Sequence, residues 1–206
     1  MAFDYETIES EYRRLNHRLG WRLFTCPAKN ISKAKVTLIT INPGGQEYEQ
    51  PQWSKEEGSA YVLERWKGNP PGQEKLQRQV QRMLQIVGTD PNDVLSGYLV
   101  PFRSRSWHAL PEKKASLNFG VNMWAEIFEN SNANLILAFG KEVAGYIVDI
   151  LDAHISHELN AAWGSNTIDV YTFGNSKRLV VLPHLSRFRL FGRVSSENAF
   201  RDSLNA

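Results

Sequence analysis

Three short runs in this sequence are apolar or β-branched on the residues that would face both sides of a sheet: "VTLITI" at 36–41, "NLILAFG" at 134–140 and "RLVVLP" at 178–183. A strand with one wet face alternates polar and apolar residues, whereas a strand covered on both faces does not. Helical patterns lie between these runs. Leu76, Val80, Met83, Leu84 and Val87 share one face, as do Val143, Ile147 and Leu151. Buried strands separated by helices imply a parallel sheet with helices on both sides. The expected fold is therefore α/β, a three-layer αβα sandwich with a central, mostly parallel sheet of about four or five strands. One domain is expected to take in residues 1–206.

The remaining elements fit that frame. An amphipathic helix is expected over 4–19, closed by Gly20, and a short strand over 97–102. "TDP" at 89–91 reads as a helix start, and a further helix is expected near 116–129. "TIDVYTF" at 167–173 and "RLVVLP" at 178–183 read as strands joined by a tight "GNSK" turn, with a last helix over about 195–204. His108 reads as an exposed loop residue, and His154 and His157 as surface groups at a helix end.

With 206 residues, 42% hydrophobic and 22% charged, the chain can bury a sizeable core. No apolar run approaches the ~20 residues that span a bilayer, and the N-terminus is acidic, so no membrane partner and a cytoplasmic location are expected. The one cysteine, Cys26, excludes an internal disulfide and a four-cysteine metal site, and the five histidines lack ligand spacing. No metal or other cofactor is expected. A net charge of +2 excludes a general polycation, but Arg103 and Arg105 cluster, as do Arg187, Arg189 and Arg193.

In parallel sheets, ligands bind beyond the carboxyl ends of the strands. Here those ends carry "NPGG", "PFRSRSW", "FGK" and "PHLSRFR". In this order, "ITINPGG", "LVPFRS", "LILAFGKEVA" and "VVLPHLS" resemble motifs of the uracil-DNA glycosylase superfamily, in its branch whose first motif contains Asn-Pro-Gly. The similarity runs roughly from Val36 to Arg193 in element order, with only four short segments matching in detail.

The resemblance implies an enzyme that flips a nucleotide out of DNA and hydrolyses its N-glycosidic bond, leaving an abasic site. It places Asn42 as the residue that orients the attacking water and His184 as the group that stabilises the departing base. Glu47 is the nearest carboxylate to Asn42 and the candidate for a stronger base. The base pocket would be built from Ile41, Pro43, Gly44, Tyr48 and Phe102. Ser186 would contact a backbone phosphate, and the segment from Arg187 to Phe191 would enter the duplex. Phe188, Leu190 and Phe191 are candidate wedges among the phosphate-binding Arg187, Arg189 and Arg193, and at least one of the three is expected to pack under the last helix instead. Ser104, Arg103 and Arg105 would grip the strand from the neighbouring loop. The partner is DNA, double- or single-stranded, and a monomer is expected.

The chemistry suits these residue types. Glycosidic cleavage develops an oxocarbenium-like sugar and negative charge on the leaving base. A neutral amide suffices to aim water at such a sugar, and a hydrogen-bond donor stabilises the leaving anion. No lysine placed in the matching motifs suggests a lyase step, so simple hydrolysis is expected.

Three departures from the family pattern bear on substrate. Leu185 stands where proline is common. The end of the second strand, "GYLVPF", has Tyr98 and no asparagine to read uracil. A long segment with Tyr48, Trp53, Tyr61 and Trp66 follows the first motif. The expected substrate is a damaged or modified pyrimidine, such as the glucosylated hydroxymethylcytosine of phage DNA in antiviral defence, or uracil in repair. The alternatives are an inert DNA-binding protein on the same fold, and an α/β enzyme acting on a nucleoside or nucleotide.

Overall fold

The computed structural model describes residues 3–206. Its six strands are β1 (Val36–Thr40), β2 (Leu95–Tyr98), β3 (Leu135–Phe139), β4 (His154–Asn160), β5 (Thr167–Phe173) and β6 (Lys177–Leu182). They form one sheet in the order β2-β1-β3-β6-β5-β4. β2, β1, β3 and β6 run parallel, and β5 and β4 continue the sheet antiparallel.

Period-two geometry explains why the parallel strands read as uninterrupted apolar runs. Leu38, Leu137, Val180 and Leu182 enter one core with Val80, Met83 and Leu84 of α4 (Lys75–Val87) and Phe200 of α7 (Val194–Asn205). Ile39, Ile136, Ala138, Leu179 and Val181 enter the opposite core. There they meet Met123, Trp124 and Ile127 of α5 (Lys113–Glu129), and Val143 and Ile147 of α6 (Lys141–Leu151). Each fully buried Leu, Ile or Val contributes about 1.5–3 kcal/mol, and both sides of the sheet are covered. The fold is the expected αβα sandwich.

Local differences have physical causes. The first helix, α1 (Tyr5–Arg14), stops short of residue 19 because Asn16 adopts φ 54°, and the His17 amide then bonds back to the Tyr12 carbonyl. Gly20 lies beyond the helix, at φ 82°, and a Cβ there would sit 1.8 Å from the Glu49 carbonyl oxygen. The "TDP" segment gives only a 3-10 turn, Pro91–Asp93, capped by Asp90. β2 begins two residues before the expected strand, although the Leu99 and Val100 amides still bond to the carbonyls of Thr40 and Ile41.

β4 was not expected. His154 and His157 are on this exposed edge strand, not at a helix end. The short helices α2 (Asn30–Lys33) and α3 (Ala60–Leu63) lie in the connections flanking β1. No helix among the described residues is long and apolar enough to cross a membrane.

Candidate functional site

β1 is followed in the chain by its neighbour on one side, β2, and then by its neighbour on the other, β3. This reversal makes the carboxyl ends of β1 and β3 the topological switch point, where an open parallel sheet leaves a crevice. Asn42 follows β1, Gly140 follows β3 and His184 lies just beyond β6.

Asn42 is half-buried, and its amide is tightly constrained. Nδ2 donates to Ser104 Oγ at 2.8 Å, to the Phe102 carbonyl at 3.2 Å and more weakly to the Pro43 carbonyl at 3.3 Å. Carbonyls only accept, so the nitrogen must face them and the amide cannot be flipped. Ser104 donates its own proton to the Ser106 carbonyl at 2.8 Å, which leaves its oxygen to accept from Asn42. Oδ1 has no partner among the described residues. The side chain therefore offers one thing to a ligand or water, an oriented acceptor.

The turn that holds Asn42 is laced to the loop after β2. The Ser104 amide bonds to the Pro43 carbonyl at 3.2 Å, and the Gly45 amide to the Ser104 carbonyl at 3.1 Å. Arg103 passes beneath, 8% exposed, and donates to the Gly44 carbonyl and to the Glu49 carboxylate. Its guanidinium is a clamp on the "NPGG" turn, not a free phosphate ligand, and a Cβ on Gly45 would strike it at 2.7 Å. Ile41 and Pro43 are buried and Gly44 is exposed. Phe102 is wholly enclosed, stacked on His17 at 4.3 Å and on Phe119 at 5.7 Å, so it supports the loop from behind. Glu47 is exposed, as is Tyr48.

His184 is oriented by its own turn. The Ser186 amide donates to Nδ1 at 3.2 Å, and Ser186 Oγ lies 2.8 Å from the same nitrogen. A backbone N–H can only donate, so Nδ1 carries the lone pair and the proton sits on Nε2. Burial, and after it the positive charge of Arg187, hold the imidazole below its usual pKa. The ring is a neutral donor through Nε2. Gly140, at φ 94°, borders it, and a Cβ added there would lie 3.6 Å from His184 Cδ2. β3 separates β1 from β6, so the strand ends that precede Asn42 and His184 are two strand spacings apart, roughly 10 Å.

The loop after His184 divides sharply. Leu190 is 1% exposed and Phe191 3%, the latter edge-on to Phe200 at 5.2 Å. Both belong to the core under α7, so neither Leu190 nor Phe191 is available as a wedge. Phe188 is half-exposed between the exposed Arg187 and Arg189, beside the exposed Ser186. Arg193 lies over the Trp163 ring at 4.1 Å, and Arg105 is exposed.

The "FGK" run places Lys141 at this edge, but sequence patterns gave no hint of its partners or of Trp163. Lys141 opens α6 and donates to Thr167 Oγ1 at 2.9 Å, with Asp169 at 3.3 Å. Trp163 sits in the loop between β4 and β5. Recognising β4 as a strand would have placed that loop at the same edge as His184.

The aromatic segment after the first motif mostly packs inward. Trp53 meets Phe24 edge-on at 5.6 Å, and the buried Tyr61 meets Trp66 at 5.4 Å. Only Tyr48 among its four aromatics is largely exposed, at 54%.

No protein-family model matches the chain, and no curated protein matches it. The geometry alone carries the functional argument. It supplies an oriented acceptor just beyond β1 and a neutral donor just beyond β6, at the same edge of the sheet, with exposed arginines in the neighbouring loops.

Proposed function

We propose that this protein is a monofunctional DNA glycosylase acting on a damaged or modified pyrimidine. The observation that carries the reading is the complementary fixing of two side chains: Asn42 is left with only Oδ1 to offer, and His184 with only Nε2–H. Hydrolysis of an N-glycosidic bond needs this pair of roles.

Water held by Asn42 Oδ1 attacks the anomeric carbon as the C1′–N bond breaks. The bonding electrons leave with the base, and His184 Nε2–H hydrogen-bonds the oxygen on which that charge collects. A neutral donor is suited to a leaving group that departs as an anion. The proton released from the attacking water passes to solvent, since an amide does not retain it. Glu47, exposed on the same loop, is less favoured as a base than Asn42 is as a water ligand. Lys141, engaged by Thr167 and Asp169, does not supply the free amine a lyase step would need.

Extrusion of the base costs a few kcal/mol, and Phe188 is the side chain placed to fill the vacated stack. Arg187, Arg189, Arg193 and Arg105 would bind phosphates around it. The roughly 10 Å between the ends of β1 and β6 suits a nucleotide with its sugar near Asn42 and its base edge near His184. Modified phage cytosine in antiviral defence and uracil in repair are the substrates this reading puts first.

The test is mass-spectrometric detection of bases released from DNAs carrying uracil, alkylated bases or glucosylated hydroxymethylcytosine. Wild type should release one of them, and Asn42→Ala and His184→Ala should bind the same DNA while releasing at least a hundredfold less. Release that is unaffected by both substitutions would overturn the assignment.

A further inference from the structure

A depression of about 240 Å³ opens on the flank of the site away from His184. Two segments distant in sequence build it: residues 16–19 after α1, and the loop 103–111 after β2. Arg18 and Arg105 are exposed at it, and neither has an ion-pair or hydrogen-bond partner among the described residues. The nearby Glu11 is held by Arg14 at 2.6 Å and does not neutralise them. His17 and Arg103 form part of the wall, each with a buried nitrogen, Nδ1 and Nε respectively, that has no protein partner. Leu19, Ala109 and Pro111 add an apolar side.

Two uncompensated guanidiniums converging on a concavity favour an oxyanion such as phosphate. The volume and the apolar side exceed what phosphate alone requires and suit a sugar or heterocycle attached to it. We infer that this depression seats a nucleotide next to the excised one, its phosphate between Arg18 and Arg105 and its sugar or base against Leu19, Ala109 and Pro111. The inference rests on the glycosylase reading. β2 and β6 bound the four parallel strands, three spacings or roughly 14 Å apart. A strand held here and at Arg187 and Arg189 would be gripped on both sides of the target. Ser104 lines the depression and also holds Asn42, so the seat adjoins the turn that orients water.

The experiment measures binding of the full chain to single- and double-stranded oligonucleotides by fluorescence anisotropy over a range of salt. Arg18→Ala/Arg105→Ala should reduce the slope of log K against log[salt] by about 0.7–0.9, one phosphate contact, and Arg18→Lys/Arg105→Lys should restore it. One methylphosphonate beside the target should weaken binding to wild type and leave the double alanine variant unaffected. An unchanged slope in the variant, with wild type still binding DNA and releasing base, overturns the seat and spares the glycosylase reading. Wild type that binds no DNA overturns both. A free deoxynucleoside monophosphate that broadens NMR signals of residues 16–19 in wild type, while the methylphosphonate has no effect, assigns the site to free nucleotides and overturns the strand assignment.

Discussion

Asn42 Nδ2 and Ser104 Oγ, 62 residues apart in sequence, meet at 2.8 Å, and the serine passes its own proton on to the Ser106 carbonyl. This pairing fixes the amide nitrogen of Asn42 and leaves its carbonyl oxygen without a partner among the described residues. Ser104→Ala leaves the Phe102 carbonyl as the principal acceptor for the amide, at 3.2 Å. The loss of one neutral hydrogen bond is worth about 1 kcal/mol, so single-turnover base release should fall about five- to tenfold. DNA affinity should change less than twofold. A rate equal to wild type would show that Ser104 does not orient the amide.

The contrast between what was legible and what was not follows from burial. β1, β3 and β6 announced themselves because each feeds two apolar cores, and that double demand leaves little room for polar residues. β4 gave no such signal. Its residues are nearly all exposed, Ile155 at 58%, and pairing with β5 rather than an apolar face holds it in the sheet. At the site, Asn42 and His184 were legible because they end buried strands. The role of Arg103 was not, since burying that cation depends on Glu49 and the Gly44 carbonyl, which the fold brings to it. Gly20 looked like a helix terminator, but its place is fixed by the Glu49 backbone packed against it.

Phe188 and Leu190, two residues apart, should separate function from stability. Leu190→Ala opens a hole in the core under α7 and should cost about 2–5 kcal/mol in urea unfolding. Phe188→Ala removes a half-exposed ring and should cost about 1 kcal/mol or less, while slowing base extrusion strongly. A 2-aminopurine reporter opposite or beside the target would read extrusion directly. If Phe188→Ala extrudes the base at the wild-type rate, another group fills the stack.

The tautomer of His184 predicts the acid limb of the reaction. Burial and Arg187 both oppose protonation, so the imidazole stays neutral to a pH below its usual 6.5. Base release should be flat above that point and decline as the pH falls through the lowered value, when protonation of Nδ1 breaks its acceptance from Ser186. Arg187→Ala removes a positive neighbour and should move the His184 titration to higher pH. NMR titration of the imidazole in the free protein checks the sign without involving DNA. A shift to lower pH, or none, would contradict the arrangement described for this turn.

His17 makes a prediction about stability that is independent of catalysis. It is 5% exposed beneath the Phe102 ring, and burial pushes its pKa down to about 4. The unfolded chain binds a proton there near pH 6.5, so between these values acid favours the unfolded state. The stability associated with neutral His17 is complete above about pH 6.5 and is lost as the pH falls toward 4. From pH 8 to pH 5 the loss should be about 2 kcal/mol. His17→Gln cannot titrate, so its stability should fall less over that range, even if it is lower at every pH. Glu197 does not obscure the comparison. Its bond to Arg82 holds its carboxyl down to about 2, so the stability it adds declines only in more acidic solution, below the ordinary glutamate range. Urea unfolding of both proteins at pH 8 and pH 5 is sufficient. Parallel losses in the two would mean that the folded protein accommodates the His17 proton, and that the enclosure behind the "NPGG" turn opens to water.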